Sequence, residues 1–362
     1  MPQPIRVAAL LSAIPLVTLL ASPSLAAPSI PGIGVHHYGD FPSNSLPFTL
    51  TRGTDGSLHA GPNDNAVSGA FVRRIPPGGG TSVQFSTGKV YDPDGVLFDA
   101  TGAFSGVANS VLVACSDLIG GSGVIYALRP DGSRFQVVGP LQSLNNNDSM
   151  AFNSQKVLHV NVFPNHNIVR FNGLSPVVAV TLPSSAGGNM FAFDELDRLW
   201  VACADAAVRR YGSDDILQAT IPVGTLADPT IAFSPGGAMP KGVYVLNNRN
   251  GTLSRINEAD QLVPVGNGFP RAFGITFDPA GNLYFVGYDT GEVFRSGCPA
   301  DLNSDGFVDD ADFSLFASAY NLLDCADPAM PQLCPADLNR DGFVDDADFV
   351  AFVVAYNELI CG

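Results

Sequence analysis

The chain is 362 residues long and carries a formal net charge of −16, with 18 Lys/Arg against 34 Asp/Glu. That length suits one large domain plus a small one, and so acidic a chain has little with which to neutralise phosphate, which excludes nucleic acid as a partner. The charge is also unevenly placed: residues 298–362 hold 13 Asp/Glu and one basic residue, Arg340, a balance of −12 that leaves −4 for the preceding 297 residues.

Residues 1–26 read as a secretory signal. Arg6 gives a positive start, "VAALLSAIPLVTLL" an apolar stretch and "SPSLA" a small-residue end, so cleavage is expected after Ala26. The apolar stretch is 14 residues with Pro15 inside it, short of the ~20 that span a bilayer, and no later segment reads as membrane-spanning. The expected location is secreted, extracellular or attached at the cell surface, where cysteine pairs persist.

Residues 27–297 are rich in Gly, Pro, Asn and Asp between short β-branched and aromatic runs, which predicts many short antiparallel strands. A loose unit recurs near Pro47 ("PFTLTRGTDGSLHAG"), Pro93 ("PDGVLFDATG"), Asn147 ("NDSMAFNSQKVLHVNV"), Asn189 ("NMFAFDELDRLWVACA"), Asp228 ("DPTIAFSPGG") and Pro270 ("PRAFGITFDPAGNLYFVG"), at intervals of 46, 54, 42, 39 and 42 residues. Units of this size, each worth about four strands, predict a mainly β fold: a six-bladed β-propeller, with seven blades as the alternative count. A β-sandwich is the rival, but it gives no reason for "F-D-x-x-G-x-L" to repeat in register. The sixth unit ends before a fourth strand, and "IGVHHYGDF" at residues 33–41 has no blade of its own. That N-terminal strand is expected to complete the last blade. His36 and His37 on it should point to opposite faces, one buried and one exposed. Cys115 and Cys203, in "VACSD" and "VACAD", read as buried strand residues without a bridge.

Catalytic signatures are absent from the sequence: no G-x-S-x-G, H-E-x-x-H or G-x-x-x-x-G-K-[ST]. The five histidines (His36, His37, His59, His159, His166) do not fall at ligand spacing. The remaining lead is positional. In a propeller the residues before the innermost strands gather at one mouth of the channel, and here these include Asp94, Asp148, Asn189, Asp228 and Arg271. The same residue types are also ordinary turn formers, so catalytic residues stay unassigned.

The segment "GITFDPAGNLYFVGYDTGEVFR" resembles blades of the NHL and gluconolactonase-like six-bladed propellers, a likeness extending over residues 33–296. The family implies a divalent cation held at the channel mouth by Glu, Asn and Asp; this chain offers Asp and Asn there but no Glu. Such blades serve lactonases, lyases, hydrolases and binding proteins alike.

The acidic residues 298–362 repeat one sentence: "CPADLNSDGFVDDADF" from Cys298 and "CPADLNRDGFVDDADF" from Cys334, with 21 of 28 positions matching between the units. Each holds a twelve-residue D-x-N-x-D-G loop with oxygen donors at alternate positions, the pattern a hard Ca²⁺ ion needs. In the first loop the expected ligands are Asp301, Asn303, Asp305, the Phe307 carbonyl, Asp309 and Asp312. In the second they are Asp337, Asn339, Asp341, the Phe343 carbonyl, Asp345 and Asp348. Helical spacing follows each loop (Phe313, Phe316, Tyr320; Phe349, Phe352, Tyr356), and no entering helix precedes it. A chain this small with so little core needs metal or disulfides to stand alone.

A duplicated loop-helix unit ending on Asp at position 12 resembles the type I dockerin domain, small and all-α. The resemblance implies two Ca²⁺ ions and a cohesin-like or other scaffold partner, often in extracellular polysaccharide use. Loop positions 10 and 11, which help choose the partner in that family, are Asp310-Ala311 and Asp346-Ala347. The antiparallel helices of that arrangement favour Cys325–Cys334 and Cys298–Cys361 over bridges within one repeat. The expectation is a secreted modular protein whose propeller recognises a glycan or small molecule and whose tail attaches it. The alternative is an extracellular propeller enzyme, a lactonase, hydrolase or polysaccharide lyase, delivered by the same tail; a surface-layer component is a third reading.

Overall fold

The computed structural model describes residues 27–31, 33–43, 45–63, 69–117, 122–144, 149–162, 166–183, 188–224, 229–298, 300–303, 307–331, 334–339 and 341–358. Residues 1–26, and with them the expected signal, lie outside the described residues, as do Asp148, Asp228, Asp305 and Cys361. Among the described residues no helix is long and apolar enough to cross a membrane.

Among the described residues the strands between Val35 and Ser296 form six sheets, or blades, antiparallel throughout except where Val35–Asp40 meets Gly80–Thr81. Blade one runs from Pro47–Arg52 through Leu58–Pro62 and Arg73–Ile75 to Val83–Gln84, and blade two from Gly95–Asp99 to Arg134–Leu141. Blades three, four and five begin at Met150–Phe152, Gly188–Phe193 and Pro229–Ser234. Blade six supplies three strands, Ile275–Phe277, Leu283–Val286 and Glu292–Ser296. Its fourth is the N-terminal strand Val35–Asp40, which pairs antiparallel with the third, Val35 opposite Ser296 and Asp40 opposite Glu292. First strands of consecutive blades touch one another round a closed ring, so they are the innermost ones. Joining the two ends of the propeller in one sheet removes an open edge that would otherwise invite aggregation.

The burial pattern follows from this stacking. Second strands such as Leu58–Pro62, Leu158–Val162 and Leu199–Cys203 are buried at every residue, because a neighbouring blade covers each face. Fourth strands such as Leu217–Pro222 lie outermost and are largely exposed. Blades pack closely enough that a side chain at Gly61 would place its Cβ 1.8 Å from the Pro93 carbonyl of blade two, so only glycine fits.

His36 and His37 depart from the expectation, since both are half-buried. Their strand pairs on one side with Glu292–Ser296 and on the other with Gly80–Thr81, and its register shifts between His37 and Gly39. The strict in-out alternation of a half-covered strand is thereby lost. Cys115 and Cys203 are both free and buried, as expected.

After the propeller come two helices, α1 (Asp310–Tyr320) and α2 (Asp346–Glu358). They pack through Phe316 and Phe352, ring centroids 4.8 Å apart, over a small core with Val308, Val344, Ala300 and Ala336. Cys325 and Cys334 form a disulfide. Cys298 is also disulfide-bonded, while the expected partner Cys361 lies outside the described residues.

Candidate functional site

The "F-D" pairs that mark the repeat close the hairpins between first and second strands. Asp194 accepts main-chain N–H bonds from Leu196 and Arg198 on Oδ1 (both 3.0 Å), and Arg198 Nε (2.6 Å) and Trp200 Nε1 (2.8 Å) on Oδ2. Asp278 accepts from the Asn282 main chain and side chain and from the Tyr284 hydroxyl. Asp99 does the same for residues 103–105. These carboxylates are buried turn anchors, not reacting groups.

The channel-mouth residues separate into two kinds. Asp94 is buried, and its main-chain carbonyl accepts the hydroxyl of Thr49 from blade one. Thr230 likewise donates to the Phe273 carbonyl across blades at 2.8 Å. Both serve to stitch blades together. Arg271 instead pairs with Asp289 at 2.7 Å and lies 4.4 Å from the Tyr288 ring centroid, beside stacked Phe48 and Phe273. Burial pushes the Tyr288 phenol up, Arg271 pulls it down, and Asp94 and Asp92 push it up again, which places both carboxylates in its field. Of Asn189 only the strand backbone is described. Among the described residues, three or more Cys, His, Asp or Glu groups converge only at Cys325, Cys334 and Asp337, where the two thiols are consumed in the disulfide.

One register position, not visible in the sequence as a set, organises the opposite side of the blades. The second strands carry His59, Leu112, His159, Trp200, Tyr244 and Tyr284, and five of these face an arginine across the ladder: Arg74, Arg170, Arg210, Arg255 and Arg295. Where the residue is Trp or Tyr, the ring fills the space between blades; Trp200 lies between Arg198 and Arg210 at 5.6 and 5.1 Å. Where it is His, space remains. A cavity of about 410 Å³ opens at His159, lined by Asn153, Gln155, Arg170, Phe193, Asp197 and Asp215, and one of about 230 Å³ at His59. The first falls in the size range of small-molecule sites, and its mixed charges suit a polar, uncharged ligand.

His59 has a pH consequence. It is 3 % exposed, and burial first, then Arg74, push its pKa down to about 4. The unfolded chain therefore binds a proton the folded one refuses as pH falls from ~6.5 to ~4, so stability is present above that window and lost within it, by about 3 kcal/mol. His59→Phe should remove this contribution. Denaturant unfolding of both proteins at pH 7.5 and 4.5 checks it; an equal loss in both would place the effect elsewhere.

In the tail, the two loops share one construction. Asp312 and Asp348 are fully buried, and both turn inward onto their own loop. Asp312 accepts the N–H of Asn303 (2.9 Å) and of Asp309 (3.1 Å), while burial pushes its carboxyl pKa up against those bonds. Asp348 accepts the N–H groups of Leu338, Asn339 and Asp345 at 2.7, 3.0 and 3.0 Å. Position 9 caps the helix that follows: Asp309 accepts the Ala311 N–H and Asp345 that of Ala347, both at 2.8 Å. Positions 9 and 12 thus form a capping box, a role beyond the calcium-donor one expected of them from the sequence. In the second loop, Asp337 accepts from Gly342 (2.9 Å) and Asn339 Oδ1 from the Asp341 N–H (2.9 Å). Gly342 takes φ +94°, where other residues are strained. Position 10 is engaged across the pair of helices: Tyr320 donates to Asp346 at 2.5 Å, and Tyr356 donates to Asp310.

No family model matches this sequence, and no curated protein matches it. In fold the chain is similar to virginiamycin B lyase from Staphylococcus aureus (TM-score 0.53, 13 % identity, 73 % of this chain and 98 % of that one). It is also similar to a putative glucose dehydrogenase from Thermus thermophilus (TM-score 0.53, 16 % identity, 73 % and 99 %). A third likeness is to a putative gluconolactonase (TM-score 0.53, 11 % identity, 74 % and 92 %). At such identities, what these proteins share with the chain is the β-propeller fold and nothing finer.

Proposed function

We propose that this is a secreted modular protein in which the propeller recognises a small polar molecule or glycan unit and the dockerin-like tail attaches it, through calcium, to a cohesin-like or other scaffold partner. The observation that carries the reading is the twin construction of residues 301–312 and 337–348. Two loops of one spelling turn a buried position-12 carboxylate onto the same inner N–H groups. The donor set fits a hard dication: Asp301, Asn303, Asp309 and Asp312 in one loop and Asp337, Asn339, Asp341, Asp345 and Asp348 in the other, with the carbonyls of Phe307 and Phe343. Asp305 completes the first set by its place in the spelling. Bound Ca²⁺ would neutralise carboxylates that otherwise repel one another; the residues themselves hold the loop closed and cap the helix.

Attachment is supported by the tail's surface. Phe313, Phe349, Val350 and Val354 on the helices, and Phe307 and Phe343 in the loops, are large apolar residues left exposed, as an unpartnered docking face would be. The Cys325–Cys334 disulfide suits an oxidising location. Calcium titration of residues 27–362 after chelation tests the reading. Far-UV circular dichroism should gain helical signal and calorimetry should count two ions; identical spectra in chelator and calcium would sink it.

A further inference from the structure

The last propeller strand and the first acidic loop meet in an ion pair that neither domain's own fold requires. Arg295 Nη2 lies 2.8 Å from Asp301 Oδ2, and Nη1 donates to the Asp301 carbonyl at 3.1 Å. Both side chains are buried, 5 % and 2 % exposed. Two of the other four arginines at this register reach an acid on the next blade's outer turn, Arg170 to Asp215 of blade four and Arg210 to Asp260 of blade five, whereas Arg74 pairs with Asp55 of its own blade and Arg255 donates to the Lys241 carbonyl. At blade six the tail supplies that acid, so its first loop is plugged into the propeller as a blade turn would be.

Asp301 is also position 1 of the first loop. Its counterpart Asp337 accepts N–H groups of its own loop, and among the described residues no ion pair reaches it. Two loops of nearly one spelling therefore differ electrostatically at two places: the second carries Arg340 where the first has Ser304, at a position that supplies no calcium ligand, and the first has a buried arginine on its position-1 carboxylate. We propose that Arg295 sets the calcium affinity of the first loop, making it the weaker of the two and coupling its filling to release of the tail from the propeller. The inference rests on the calcium reading above. A dication on the Asp301 carboxylate must share it with a buried monocation, and ligand charge is what tunes affinity in such loops. By linkage, the factor by which the Arg295 contact weakens calcium binding is the factor by which calcium weakens that contact.

Calorimetric titration of residues 27–362 with CaCl₂ decides it. The wild type should show two classes of site, the weaker at least about tenfold below the stronger. Arg295→Gln should tighten the weaker class by about tenfold and leave the other unmoved; Arg295→Met, an unbranched side chain without charge or hydrogen-bond donors, should do the same. Fluorescence of the single tryptophan, Trp200, reports that the propeller of each variant is folded. Two equal classes in the wild type overturn the proposal whatever the variants do, as does a weaker class that Arg295→Met leaves in place. Uptake by neither loop would instead sink the calcium reading itself, and the proposal with it.

Discussion

Replacing Asp194 by Ala should destabilise the propeller by about 3–5 kcal/mol, the sum expected when several buried donors lose their acceptor at once. The carboxylate takes four bonds, two from main-chain N–H groups of its turn and two from the Arg198 and Trp200 side chains. Its side chain is 1 % exposed and that of Arg198 33 %, so Arg198 can recover water while the Trp200 N–H, buried between blades, cannot. The melting temperature should fall by about 10 °C, at 2–4 °C per kcal/mol for a domain of this size, with a red shift in tryptophan emission. Asp194→Asn is the sharper variant. It keeps an acceptor for the turn but sets an amide N–H against the indole N–H if the remaining oxygen faces the turn, so it should cost nearly as much. A shift under 2 °C for both would mean that the turn holds its shape without the carboxylate.

That anchor was legible as a repeat but not as a role. The spacing of the loose strand-turn-strand unit, 39 to 54 residues, was enough for six blades and their first strands, because turn chemistry and strand length are local properties. The closing strand was legible by subtraction, since residues 33–41 had no blade and blade six had no fourth strand. The burial of His36 and His37 was not, because it depends on which chain segments come to lie on either side. The His59, His159, Trp200, Tyr244 and Tyr284 set was also hidden. Its members differ in type, and their common feature is a cross-strand arginine fixed by register. In the tail, the helices that follow the two acidic loops were legible from apolar spacing alone. The partnership of Asp301 with Arg295 was not, because it joins two domains six residues apart in sequence that are otherwise separately readable.

If the tail binds calcium as proposed, the Cys325–Cys334 bridge should matter most when calcium is scarce. It closes a loop of sequence separation 9, worth about 2.5 kcal/mol of chain entropy removed from the unfolded state. It also ties the end of the α1 segment to the start of the second loop, where Cys325 N–H bonds to the Gly342 carbonyl and Val344 N–H to that of Leu323. If the tail folds as it binds, stability lost from the fold is lost from the apparent affinity. Cys325→Ala/Cys334→Ala should therefore raise the calcium concentration at the midpoint of the helical transition by on the order of 100-fold, at ~1.4 kcal/mol per decade. Because the bridge abuts the second loop, the shift should fall on the class that Arg295 leaves alone. Far-UV titration of the variant at fixed protein concentration measures it. An unmoved midpoint would mean that the loop closes independently of the chain around it, and that the two repeats are held together by the Phe316–Phe352 contact and the paired Tyr–Asp bonds alone.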